Sequence, residues 1–112
     1  FTFSKFKDKS FLKIKNKKIA VPNNIYDIVI DPGHGGYDVG AINDNIYESN
    51  IDLDISLKLK KELENQGFKV KLTREDDTNP SPYGKNGRAT TPYEVKAKIF
   101  LSIHVNSTPI LS

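Results

Sequence analysis

Cysteine is absent from this sequence. That excludes disulfide staples and thiolate metal sites, so any metal must be held by histidine and carboxylate. Histidine is scarce as well: only His34 and His104 occur. No run approaches the roughly 18 apolar residues of a membrane span, and no secretory h-region is present. The first residue is Phe1 rather than Met, so a leader or anchor ahead of this numbering is expected. Internal repeats, low-complexity tracts and nucleic-acid motifs are all missing, which argues against nucleic acid as a partner. The lack of cysteine suits an oxidising exterior without proving it.

What is present describes one small domain, or part of one. The chain has 112 residues, 37% hydrophobic and 28% charged, enough apolar material for a modest core. The net charge of +3 conceals an asymmetry. Residues 1–20 carry seven lysines against Asp8 alone, a balance of +6, and the remaining body is −3. A basic arm over residues 1–24 on an acidic body suggests docking to a polyanion such as an anionic wall polymer or a membrane surface. A solvated lysine-rich linker is the plainer alternative, although Phe1, Phe3, Phe6, Phe11 and Leu12 are unusual in a linker. Phe11 to Lys15 has the pattern of a short strand. Val21-Pro22-Asn23-Asn24 is a breaker cluster and marks the boundary with a second region, 25–112.

Tyr26 to Asp31 reads as a strand buried on both faces, since Ile28-Val29-Ile30 is continuously apolar. Asp31-Pro32-Gly33 stops it, and a long polar, glycine-rich loop follows to Asn45. Residues 49–66 satisfy both an alternating and a four-residue period. Their length and their Lys, Glu, Leu and Gln content decide for a helix. Its expected buried stripe is Ile51, Ile55, Leu59 and Leu63, widened by Leu53 and Leu57. Ser49 and Asp52 resemble a capping box, and Gly67 a C′ glycine. Phe68 to Thr73 alternates as a second strand, parallel to the first across the helical crossover. After a loop over residues 78–87, Thr91-Pro92-Tyr93-Glu94 reads as a capped start to a short helix ending near Lys98. Ile99 to Val105 reads as a third, buried strand. The fold class is therefore α/β, a mainly parallel sheet with flanking helices in a three-layer arrangement.

In a parallel sheet the carboxyl ends of strands share one edge, where open α/β folds place their chemistry. His34 follows strand one, His104 lies near the end of strand three, and Glu48 directly precedes the crossover helix at that edge. Two imidazoles and a carboxylate form the donor set of catalytic zinc sites, with a fourth position left for water. Taken singly, each has a structural reading: a turn histidine, a core histidine, and a carboxylate complementing the helix dipole. Asp31 fits either a carboxylate that orients a ligand histidine or a turn residue. Arg74 and Arg88 fit either a fork for a peptide carboxylate or internal ion pairs with Glu75-Asp76-Asp77. Asn106 fits either a loop hydrogen bond or a glycan contact.

The runs Asp31 to Ala41, Glu48, Leu72 to Asp77, Arg88 and Phe100 to Ser107 together resemble the zinc-dependent N-acetylmuramoyl-L-alanine amidases of bacterial cell-wall hydrolases. The resemblance spans about residues 27–107 in order and spacing. It implies Zn2+ held by His34, Glu48 and His104, and hydrolysis of the amide between muramic acid and the first L-alanine of peptidoglycan, outside the cytoplasm. It also implies a fold that continues past strand three, with a later glutamate as general base or acid. No side chain after His104 can ionise, so no position here inherits that role, an expected loss of about 10²–10⁴-fold. Residues 25–112 are then the amino-terminal portion of the catalytic domain, incomplete at its carboxyl end. The rival readings are a shortened zinc- or wall-binding module without turnover, and a metal-free interaction domain.

Overall fold

The computed structural model of the protein describes residues 24–105. Asn106, the strand considered at residues 11–15 and all of the basic arm but its last residue lie outside the described residues. The described elements are β1 (Ile28–Pro32), β2 (Ile42–Asn43), β3 (Ile46–Tyr47), α1 (Glu48–Asn65), β4 (Val70–Leu72), α2 (Thr91–Glu94) and β5 (Ile99–Ile103).

β1 is the centre of the main sheet. The order is β4-β1-β5, and β1 pairs in parallel on both sides, Ile28 facing Val70 and Ile99. A strand hydrogen-bonded on both edges and covered on both faces must be apolar throughout, and Ile28, Val29 and Ile30 are all fully buried. Ile28 and Ile30 join Leu63, Phe68, Val70 and Leu72 in one core cluster, each such side chain stabilising the fold by about 1.5–3 kcal/mol. Val29 points to the opposite face, and α2 packs against β1. The α/β class with a parallel sheet and flanking helices is therefore as expected. The strand extends one residue past its expected end, through Pro32, because a proline carbonyl can still accept even though its nitrogen cannot donate.

The helix end follows the sequence closely. Gly67 takes φ +96, its N–H donates to the Glu64 carbonyl at 3.0 Å, and the Phe68 N–H reaches the Leu63 carbonyl at 3.2 Å. This is a Schellman motif, with Phe68 and Leu63 in apolar contact across it. A Cβ on Gly67 would meet no atom within 4 Å, so the cost of substitution there is conformational alone. Gly67→Ala should lower stability by about 1 kcal/mol, read as a lower urea midpoint with unchanged slope.

The start of α1 differs from expectation. Tyr47 is the N-cap and no side chain caps the helix. The Glu48 and Ser49 N–H groups donate instead to the Ala41 and Val39 carbonyls at 2.8 and 3.0 Å. The preceding loop thus supplies what Ser49 and Asp52 were expected to supply. The buried stripe also differs: Glu48, Ser49, Asp52, Ser56 and Leu63 are buried, whereas Ile55 and Leu57 are 39% and 38% exposed. Small and polar residues face inward in the first turns because this end of the helix lies against the site rather than the apolar core.

Other boundaries shift for local reasons. The loop after β1 contains a β2–β3 hairpin whose Asp44 and Asn45 both have positive φ (51 and 66), the signature of a type I′ turn. For α2, Thr90 rather than Thr91 is the N-cap. Thr91 Oγ1 donates to the Gly87 carbonyl at 2.7 Å, and the Glu94 carboxylate accepts the Asn86 N–H at 3.2 Å. The helix stops at Glu94, short of Lys98, and Lys96 turns left-handed at φ 53. β5 ends at Ile103 and is not wholly buried, Phe100 being 42% exposed. Among the described residues it has a strand neighbour on one edge only.

Candidate metal centre

Register sets the site. Asp31 faces Ser102 and Pro32 faces Ile103 across the β1–β5 pair, so His34 and His104 leave the sheet at the same edge. Their rings meet edge to face, centroids 5.0 Å apart. Two glycines make this possible. A Cβ on Gly33 would collide with the His104 ring, its Nδ1 at 2.7 Å, and one on Gly40 would lie 2.7 Å from His34 Cδ2 and 2.8 Å from Glu48 Oε1. His34 itself is left-handed, φ 58, an uncommon conformation for a histidine and of a kind concentrated at functional sites.

Glu48, the first residue of α1, lies between the rings. Its Oε2 is 3.3 Å from His34 Nε2 and 3.2 Å from His104 Nδ1. The carboxylate is held from behind by the Ala41 N–H on Oε1 at 3.1 Å and the Val105 N–H on Oε2 at 3.2 Å. Asp52, one helical turn on, adds a fourth donor, and one ligand atom from each of His34, Glu48, Asp52 and His104 lies within 4.8 Å of all the others. Asp52 is fully buried, and neither of its oxygens has a hydrogen-bond partner among the described residues.

These side chains could hold a metal ion. Donors separated by 3.2–3.3 Å match the edges of a tetrahedron with bonds of about 2.0–2.1 Å, although a hydrogen bond accepts the same spacing. The buried Asp52 supports the fit, because a cation would offset the charge of a carboxylate that otherwise tends to hold a proton. Cavity space opens beside the imidazoles, about 200 Å³ lined by Asp31, Gly33, His34, Asp38, Asn79, Arg88 and His104.

The electrostatics agree. Burial alone would lower the His34 pKa, but the hydrogen bond and charge of Asp38, with the Glu48 charge, outweigh it and raise the value. For Glu48, burial would raise the pKa. The Ala41 N–H, the His34 charge, the His104 hydrogen bond and the Val105 N–H together lower it. For Asp52, burial first, then the Glu48 charge, push the value up to about 6 against the opposing charges of His104 and His34.

The carboxylate that orients His34 is Asp38, whose Oδ2 lies 2.9 Å from Nδ1. Asp31, for which the sequence left open that role or a turn, is placed elsewhere. Among the described residues its carboxylate bonds Thr73 Oγ1 at 2.6 Å, Arg88 Nη1 at 2.7 Å and Ser102 Oγ at 3.3 Å, and neither imidazole. Asp31 points sideways within the sheet and ties β1 to β5 and to the segment after β4, whereas Asp38 returns to the site on the tight turn bridging Gly35 and Asp38.

The arginines are also placed differently. Arg74 is 4% exposed and donates to backbone carbonyls of Pro32 (3.1 Å), Asp76 (2.8 Å), Gly33 (2.7 Å) and Ser49 (2.9 Å). Its fork is committed internally, to carbonyls rather than to the carboxylates of residues 75–77, and no face is left for a peptide carboxylate. Arg88 pairs with Asp31, not with the acidic cluster, and also donates to the Pro32 and His34 carbonyls and to Asn79 Oδ1. It holds the turn that carries His34.

Asp38 and Asp52 were the residues missed. Asp52 had a legible signal, the four-residue spacing from Glu48 that puts both on one helix face. Asp38 had only its nearness to His34 in a glycine-rich loop.

A parallel α/β sheet with two histidines and two buried carboxylates gathered at the carboxyl edge of its strands, a group that could hold a metal ion, defines an open-sheet protein with a candidate metal centre. The chain belongs to the N-acetylmuramoyl-L-alanine amidase family, whose model matches residues 28–111. It is 33% identical over 93 residues to a germination-specific N-acetylmuramoyl-L-alanine amidase of Bacillus subtilis, covering 73% of this chain and 39% of that protein. Among solved structures, the catalytic domain of the amidase CwlV from Bacillus (Paenibacillus) polymyxa var. colistinus superposes with a TM-score of 0.67 at 36% identity, over 76% of this chain and 48% of that one. An N-acetylmuramoyl-L-alanine amidase from Clostridium difficile 630 gives 0.67 at 38% identity, over 78% and 47%. The chain thus spans less than half the length of each of these relatives.

Proposed function

We propose that this chain carries the zinc site of a peptidoglycan amidase that hydrolyses the amide between N-acetylmuramic acid and L-alanine, acting outside the cytoplasm at the cell wall. His34, Glu48 and His104 hold the ion. The observation that supports this most directly is the convergence of two imidazole nitrogens on one buried glutamate oxygen, at 3.2 and 3.3 Å, in a chain of this family. Zinc bound there would supply Lewis-acid polarisation of the scissile carbonyl and a water nucleophile at neutral pH.

The remaining roles belong to the chain's own residues. Asp38 fixes the His34 ring by its bond to Nδ1, leaving Nε2 directed at Glu48. The Ala41 and Val105 N–H groups keep Glu48 ionised and immobile. Arg88, anchored on Asp31, holds the His34 carbonyl and lines the cleft beside the imidazoles, which supports a substrate-facing role for it. Residues 25–112 serve as the amino-terminal portion of the catalytic domain. The lysine-rich 1–24 arm serves as an electrostatic contact to anionic wall polymer or membrane surface, a reading supported by its seven lysines.

Zinc-loaded protein incubated with purified muropeptides should release peptides with new L-alanine amino termini, stop with chelator and resume with added zinc. Stoichiometric zinc without turnover would favour the zinc- or wall-binding module. Failure to bind zinc at low micromolar concentration would refute the metal reading itself.

A further inference from the structure

Two spaces flank the cluster, and no residue lines both. One is the cleft beside the imidazoles, walled in part by Arg88 and Asn79. The other, about 280 Å³, lies between the β2–β3 hairpin, the first turns of α1 and the residue after His104. Its apolar walls are Ala41, Ile46, Ile51 and Val105, and its polar groups belong to Asn43, Asp44 and Glu48. Register explains which hairpin residues face it. Asn43 pairs with Ile46, and Ile42 with Tyr47, so Asn43 and Ile46 turn one face to the pocket while Ile42 and Tyr47 leave on the other. The base of the hairpin is fastened to the site. The Ala41 N–H donates to Glu48 Oε1 at 3.1 Å, and the Ala41 carbonyl accepts the Glu48 N–H at 2.8 Å. The tip is a turn of left-handed Asp44 and Asn45, which fixes where the exposed Asp44 carboxylate stands.

Ala41 to Asp44 is three residues of chain, a rise of about 10 Å in strand geometry. A peptide running along the hairpin from an amide at the ion covers about the same distance by its third residue. A hydroxyl-rich glycan finds few partners among these walls, whereas the methyl and methylene groups of a short peptide fit them. Among the described residues neither lysine nor arginine lines the pocket, so it offers an anion no counter-charge and an ammonium the Asp44 carboxylate. We propose that this pocket is the subsite for the peptide stem, and that Asp44 selects stems whose third residue carries a side-chain amine. The inference rests on the amidase reading and names the part of the substrate that the hairpin grips. Ile46, 55% exposed in the free protein, packs on the aliphatic part of the stem.

The test titrates the zinc-loaded full chain with a muramyl tripeptide whose third residue is lysine, and with the same compound acetylated on the lysine amine. Binding is followed by amide shifts in two-dimensional NMR spectra, which need no turnover. The native chain should bind the free amine about fivefold more tightly, the upper end for an exposed ion pair, and added salt should shrink the difference. Asp44→Asn keeps a residue suited to left-handed backbone and should bind both compounds equally, at the native affinity for the acetylated one. Ile46→Ala should weaken both by about tenfold and keep the preference for the amine. An aspartate that serves the turn alone leaves the preference intact in Asp44→Asn, and that outcome overturns the inference while the zinc reading stands. Equal binding of the two compounds by the native chain, or shifts confined to the cleft around Arg88, overturns it too. If the native chain takes up no zinc at low micromolar concentration, the amidase reading falls and this inference falls with it.

Discussion

Replacing Glu48 with alanine should remove tight metal binding and, with it, any hydrolytic turnover. Glu48 Oε2 faces both imidazoles, at 3.3 and 3.2 Å, and the side chain is only 3% exposed, so solvent does not readily replace it. Mutating partners outside a metal's own ligands already costs about 10–100-fold in affinity; losing this ligand should exceed that range. Two further effects add to the loss. The Ala41 and Val105 N–H groups would be left without their acceptor, loosening both the loop before α1 and the segment after β5. In addition, His34 would lose one of the negative charges that raise its pKa. Equilibrium dialysis against zinc at low micromolar concentration checks the prediction, and native-like occupancy in Glu48→Ala would show the ligand assignment to be wrong. For the native chain, affinity should fall as pH is lowered, since an imidazole must lose its proton to bind metal and the hydrogen bond and charge of Asp38 raise the His34 pKa above its ordinary value despite burial.

Arg74→Ala should be the most destabilising single substitution outside the hydrophobic cluster. Its guanidinium joins the end of β1, the first turn of α1 and the loop after β4 through four backbone carbonyls. Hydrogen bonds to a charged donor contribute about 1.5–3 kcal/mol each, and unsatisfied buried acceptors add a further penalty. The bonds share one side chain and are not additive, so a loss of about 3–5 kcal/mol is expected. Against the roughly 5–15 kcal/mol of a typical domain, that is a fall in melting temperature of ~15 °C or more. Arg74→Lys should recover little, because an ammonium cannot reach carbonyls spread around a planar fork. Scanning calorimetry decides the matter: a variant melting within a few degrees of native protein would mean these carbonyls find other donors. The burial of Arg74 already depresses its pKa, with the nearby Arg88 charge acting in the same sense. Its interactions with the carbonyls must offset both.

Much of the fold was legible because it rests on local rules. Ile28-Val29-Ile30 could only be a strand covered on both sides, and Gly67 sits where a helix must reverse. Phe68, Val70 and Leu72 alternate with the pleat and are buried, whereas Lys69 and Lys71 are not. The four-residue stripe on α1 misled for a related reason. Apolar periodicity reports a face that packs on a core, and the first turns of α1 pack on the site instead, burying Ser49, Asp52 and Ser56 while Ile55 stays accessible. The capping box at Ser49 failed because loop carbonyls accept the first N–H groups of α1, and that at Thr91 because Thr90 is the N-cap and Thr91 Oγ1 donates to the Gly87 carbonyl instead.

By itself the sequence determined where strands, turns and helix lie, and which three donors a parallel sheet would bring to one edge. Those follow from backbone sterics and short-range patterning, which act between residues a few positions apart. Only the tertiary structure decided the partners. Asp38 rather than Asp31 steadies His34, Arg74 grips carbonyls across 25 to 42 positions, and Asp52 enters the cluster as a second buried carboxylate. Such choices depend on side-chain packing between distant segments, where several carboxylates are chemically equivalent until distance and burial distinguish them.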